Sequence, residues 1–104
     1  MTYEIALAAL ADPTRRQVFE RLRGGPLSVK ALACGVPVSR PAVSQHLKVL
    51  KEAGLVAERS EGVRRLYSVR REGLIELRQW IDSFWSDALE AFKREVEKPE
   101  GEQG

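Results

Sequence analysis

The stretch Ser39–Tyr67, SRPAVSQHLKVLKEAGLVAERSEGVRRLY, constrains the chain more than any other. It sets a capped amphipathic helix directly before a basic β-hairpin, so the fold must hold those two elements side by side. Ser39 is an N-cap residue type, whose hydroxyl accepts an N–H of the first turn. Pro41 falls in that turn, where a missing N–H leaves no bond unmade. Gly54 closes a helix predicted over Arg40–Ala53. At 100° per residue, Val43, Leu47 and Leu50 share one face with Gly54. Pro41, Ser44, Gln45 and Lys48 share the opposite face, with Glu52 at its far end. One face is therefore core and the other is free.

Beyond Gly54, Leu55–Ser60 and Val63–Val69 read as strands, with a turn at Glu61-Gly62. Leu66 and Tyr67 are adjacent in a regular strand, so they face opposite sides. Arg59, Arg64 and Arg65 cluster near the tip. Arginines at a hairpin tip commonly serve solubility; beside a helix with a free polar face they suit phosphate or a minor groove.

Upstream, Tyr3–Ala11 is rich in helix formers. Asp12-Pro13 starts a helix predicted over Pro13–Arg23, with Val18, Phe19 and Leu22 as its apolar stripe. Gly24-Gly25-Pro26 ends it. Leu27 is extended, Ser28 caps a short helix over Val29–Cys34 with Leu32 and Ala33 inward, and Gly35-Val36-Pro37-Val38 is a tight connection. Two helices joined by such a turn make a helix-turn-helix pattern.

A long helix is predicted over Glu72–Glu97. Its apolar positions, among them Trp80, Phe84, Trp85 and Phe92, span well over half its circumference. A surface helix needs an apolar stripe only somewhat wider than about 100°. The excess implies cover on two sides, one from this domain and one from a second chain. Residues 98–104, KPEGEQG, read as a disordered polar tail after a single domain over residues 1–97.

Charge is segregated. Residues 21–71 hold eleven Lys/Arg against three acids, and residues 72–104 hold four against nine. A cationic middle suits a polyanion, and the acidic end does not. No apolar run approaches a membrane span, and no signal peptide is evident, so the expected location is cytoplasmic. A lone cysteine fits a reducing compartment. Cys34 is expected as a half-buried, small apolar residue; in the alternative it is a thiol activated by Lys30, giving a redox-responsive regulator. Neither paired carboxylates, a nucleophile–base combination nor a phosphate-binding glycine loop is present, so no enzyme is expected.

The strings ALADPTRRQVFERL (Ala9–Leu22), VSRPAVSQHLKVLKEAGLV (Val38–Val56) and RRLYSV (Arg64–Val69) resemble the ArsR family of bacterial winged-helix repressors. The resemblance covers nearly the whole chain. It implies a mainly α fold of five helices with a two-stranded wing, dimeric through the terminal helices. It also implies a repressor, in some relatives an autorepressor, that binds double-stranded DNA at an inverted repeat. The family's thiolate positions in the helix before the recognition helix hold Ser28 and Lys30 here, and the last helix has no histidine. No metal and no cofactor are therefore expected as the signal, and release by an anti-repressor protein is the analogy that remains.

Base readout is expected from Gln45 on adenine, Arg40 on guanine, Ser44 on several base edges, and Pro41 or Ala42 on a thymine methyl. Ser39 and Lys48 would hold phosphate. His46 lies beside the readout face, with packing and base contact both open. Arg59, Arg64 and Arg65 form the wing contact. Arg15 and Arg16 are read as a solvated face, with backbone contact the alternative. The dimer interface is expected from Tyr3, Ile5 and Leu7 of the first helix with Leu77, Trp80, Ile81, Phe84, Trp85, Ala88 and Phe92 of the last. A winged-helix protein-interaction module is the rival reading; it calls for acidic or apolar residues on the free face of Arg40–Ala53, where polar and basic ones stand.

Overall fold

The computed structural model describes residues 2–97. In chain order they form α1 (Thr2–Leu10), α2 (Pro13–Arg21) with a 3₁₀ turn (Leu22–Gly24), α3 (Val29–Ala33), α4 (Arg40–Glu52), the antiparallel strands β1 (Val56–Glu61) and β2 (Arg64–Val69), and α5 (Arg71–Glu97). The tail over residues 98–104 lies outside the described residues.

Three helix starts are fixed by side chains. Asp12 Oδ1 accepts the Arg15 N–H at 2.9 Å, Ser28 Oγ accepts that of Ala31 at 3.2 Å, and Ser39 Oγ accepts that of Ala42 at 3.3 Å. Each satisfies a donor that has no partner inside its own helix. The helix predicted to Arg23 is α only to Arg21, because its last turn tightens into 3₁₀ geometry before Gly25, whose φ is 133°. Leu27 is extended as expected, and it exchanges two backbone hydrogen bonds with Tyr67 at 2.9 and 2.8 Å.

The core lies where the helices meet the base of the hairpin. Val18, Leu22, Leu32, Val43, Leu47, Leu50, Leu55 and Val56 are its most completely buried side chains. Ala6 and Ala9 bring α1 to it, and Leu77 brings α5. Burying a side chain of this size contributes roughly 1.5–3 kcal/mol. Tyr67 packs on this core, whereas Leu66 is buried outside the main cluster, so the two do face opposite sides.

The hairpin turn is one residue later than expected. Its central residues are Gly62-Val63, with Gly62 at φ 64° and Val63 in the negative half. That is the sign pattern of a type II′ turn, which wants glycine at its first central position. A turn centred on Glu61-Gly62 would set Arg59 opposite Arg64. The observed register sets Glu61 opposite Arg64 and Arg59 opposite Leu66, so unlike charges are paired.

Gly54, at φ 79°, lets the chain leave α4, and α5 crosses that turn at Gly73. A Cβ on Gly73 would collide with the Gly54 carbonyl and lie 3.4 Å from Leu55 Cα. The crossing is thus backbone on backbone. Farther along, Trp80 stacks on Tyr3 of α1 at 5.6 Å between ring centroids, with 17° between the planes. Beyond that stack every residue of α5 is exposed. A 27-residue helix is about 40 Å long. Its free part explains a radius of gyration of 19.3 Å, where a compact chain of this length has roughly 13 Å.

Candidate nucleic-acid interface

The free face of α4 is as the periodicity requires. Arg40, Pro41, Ser44, Gln45 and Lys48 are exposed, above buried Val43, Leu47 and Leu50. Ser39 is exposed although its hydroxyl caps the helix, and Ala42 is half-buried. His46 is also half-buried; its Nδ1 is shielded from solvent and has no hydrogen-bond partner. It turns toward the start of α2. The Asp12 carboxyl there lies below its ordinary range, first through the hydrogen bond from the Arg15 N–H and in smaller part through the charges of Arg15 and His46.

The wing stands beside this face. Arg59, Arg64 and Arg65 are well exposed, but each meets a carboxylate. Glu61 faces Arg59 at 3.5 Å and Arg64 at 3.7 Å. Glu58 accepts from Arg65 Nη1 at 2.7 Å and from Lys51 Nζ of α4 at 2.6 Å. The Glu58 carboxyl is accordingly held below the usual glutamate range, first by the Lys51 hydrogen bond, with burial opposing. Between the wing and the starts of α3 and α4 runs a cleft of about 450 Å³ lined by Ser28, Val29, Lys30, Arg40, Arg64 and Arg65. Four of those six side chains are cationic, so the cleft can take a polyanion's phosphates.

The tertiary structure adds Lys30 to this surface and exposes the role of Glu58. Sequence patterning missed both. Lys30 carries no local signal, because only the fold brings α3 to the wing. Glu58 sits diagonal to Arg65 on one sheet face, a relation visible only once the register is known.

Three expectations are corrected. Arg15 and Arg16 are more than a solvated face: Arg15 is half-buried, Arg16 is exposed as expected, and both are engaged by α1. Arg15 Nη1 donates to the Ala9 carbonyl at 3.0 Å and Arg16 Nη1 to the Leu10 carbonyl at 2.8 Å, so they cap the C-terminal end of α1, where cations are favoured. Cys34 is exposed rather than half-buried, because α3 ends one residue earlier and leaves it as the C-cap. Leu77, expected at a dimer interface, is 7% exposed and belongs to the protomer's own core, one turn after the Gly73 crossing. The other expected interface residues on α5 stay open. Trp80, Ile81, Phe84, Trp85 and Phe92 are 37, 54, 68, 63 and 67% exposed, and Ala88 is exposed too. On α1, Ile5 and Leu7 are exposed, and Tyr3 is half covered by Trp80.

A family model described as a helix-turn-helix domain matches residues 10–59. The HTH-type transcriptional regulator Rv2034 of Mycobacterium tuberculosis is 53% identical over 92 residues, covering 88% of this chain and 86% of that protein. The transcriptional repressor SdpR of Bacillus subtilis is 32% identical over 76 residues, covering 73% and 84%. Among solved structures, an ArsR-like transcriptional regulator from Rhodococcus sp. RHA1 superposes with a TM-score of 0.75 at 30% identity, over 94% of this chain and 95% of that one. The chain belongs to the ArsR family of transcriptional regulators. In that family's winged helix-turn-helix, α3 and α4 are the helix-turn-helix pair, α4 is the recognition helix, and β1–β2 is the wing. Among the described residues no group of three or more His, Cys, Asp or Glu side chains is placed to hold a metal ion, and no helix is long and apolar enough to cross a membrane.

Proposed function

We propose that this ArsR-family regulator is a cytoplasmic homodimeric repressor that reads an inverted repeat in double-stranded DNA. The observation that carries the reading is the two-faced recognition helix. Ser44, Gln45 and Lys48 are open to solvent over a sealed Val43–Leu47–Leu50 face, with the basic cleft and wing beside them. In this reading α4 enters the major groove. Gln45 pairs with adenine and Arg40 with guanine, while Ser44 bonds a base edge and Pro41 or Ala42 meets a thymine methyl. Ser39, Lys48 and the wing arginines, Arg59, Arg64 and Arg65, hold phosphates. His46 packs toward α2 and takes no base.

Two copies are needed because α5 leaves so much apolar surface in water. Trp85 alone is 63% exposed; covering that exposed part removes about 150 Å² from solvent, or about 4 kcal/mol per subunit at most. A two-fold pairing through this face covers the same surface on both subunits. It also sets two recognition helices about 34 Å apart, one turn of DNA. Repression, the role that the name of SdpR carries, then follows here from occupying a promoter. Ser28 and Lys30 stand where the metal-sensing branch has thiolates, which favours release by an anti-repressor protein over release by metal. The protein has no catalytic role in this reading.

Titrating binding to a mixed-sequence duplex against salt tests the reading. The expected result is steep weakening between 50 and 200 mM salt, by at least about 10³ if six or more phosphates are held. Indifference to duplex at every salt concentration would sink it in favour of a protein-interaction module.

A further inference from the structure

Glu58 is the one carboxylate among the described residues seen to join the recognition helix to the wing. It stands on β1 and is half-buried, its side chain 14% exposed. Oε1 takes Lys51 from the last turn of α4, and Oε2 takes Arg65 from β2. Three elements therefore meet at a single side chain. Arg65 also lines the basic cleft with Lys30, Arg40 and Arg64, so one guanidinium serves both the Glu58 carboxylate and the cleft where a phosphate would lie.

The geometry points to Glu58 as a positioning residue that sets how well the regulator tells its target from other duplexes. This inference rests on the DNA-binding reading and deepens it. Paired at 2.7 Å through Nη1 alone, Arg65 keeps its other N–H donors free, but the carboxylate offsets part of the positive charge that it offers a phosphate. Sequence-independent binding is built almost wholly from phosphate contacts, so this partial neutralisation of Arg65 lowers it. On the target, base contacts from α4 add to contacts from a wing whose placement Glu58 has already fixed, and preorganisation favours that complex. Glu58 thus suppresses the wrong complex while it orients the right one.

The test compares the parent, E58Q, R65A and the double variant on two duplexes. One is a random-sequence duplex; the other is the sequence that the parent enriches from a random pool. E58Q is expected to bind the random duplex more tightly, with a salt slope steeper by about 0.9, the value for one added phosphate contact. Its gain should therefore shrink about threefold between 50 and 200 mM salt. Its preference for the enriched sequence should fall. In the R65A background the E58Q gain should vanish. E58D keeps the charge but is one methylene shorter, so its weaker pairing should show the same slope change at smaller amplitude; it serves if E58Q does not fold. An unchanged slope in both variants, equal losses on both duplexes, or a gain that survives in R65A would overturn the inference. A parent that ignores duplex altogether would instead overturn the DNA-binding reading beneath it.

Discussion

Gly73→Ala should destabilise the protein even though it improves a helix. Alanine in place of glycine inside α5 favours the helix by about 0.8–1.0 kcal/mol. Against this stands the crossing over Gly54. The added methyl would overlap the Gly54 carbonyl oxygen, lie 3.0 Å from the Gly54 carbonyl carbon and 3.4 Å from Leu55 Cα. These are backbone atoms, so no side chain can swing aside. Overpacking of this kind costs roughly 1–3 kcal/mol. The net loss should thus be up to about 2 kcal/mol, and α5 should be displaced from the body of the domain. Urea unfolding of parent and variant at the same protein concentration measures it, since dimerisation makes stability concentration-dependent. The midpoint should fall at unchanged slope. A variant as stable as the parent, or more stable by the propensity difference, would show that α5 does not rest on that turn.

Other expectations follow from the same geometry. Gln45→Ala should weaken binding by about 1–3 kcal/mol and mainly at one base position, as read by gel shift on a set of single-position target variants; equal losses on every sequence would remove Gln45 from base readout. Arg64→Ala should weaken binding to all duplexes alike and make the salt slope shallower by about 1; a sequence-dependent loss would contradict its place on phosphate. Trp85→Glu should turn the dimer into monomer in sedimentation at micromolar concentration, and a dimer that persists would move the interface elsewhere. Acid should weaken the fold through Glu58. Its folded carboxyl titrates below the ordinary 4.5, so its contribution is complete above that value and is lost as pH falls through the lower one. Stability measured from pH 6 downward should therefore fall less for E58Q than for the parent.

How far the fold is legible in the sequence follows from how local each signal is. Asp12, Ser28 and Ser39 are capping residues acting within three positions, and all three caps are made. The apolar stripe of α4 needs only helical spacing, and Val43, Leu47 and Leu50 are buried as it requires. The wing turn falls one residue later than spacing predicts, because Glu61-Gly62 and Gly62-Val63 both put glycine at a turn. What separates them is which arrangement sets Glu61 against Arg64 instead of Arg59. Arg15 and Arg16 look like surface charge until α1 is placed, when its open carbonyls claim them. Leu77 and Trp80 lie on the same apolar helix, yet the Gly73 crossing sends the first into the core and leaves the second on α1. No spacing rule distinguishes them without that crossing.

Selection of bound sequences from a random duplex pool tests the central claim most directly. The dimeric, two-groove arrangement predicts an enriched inverted repeat whose half-site centres lie about 10–10.5 base pairs apart. Substituting Gln45 should blur one position symmetrically in both halves. Enrichment of a lone half-site, or of no sequence at all, would contradict the account.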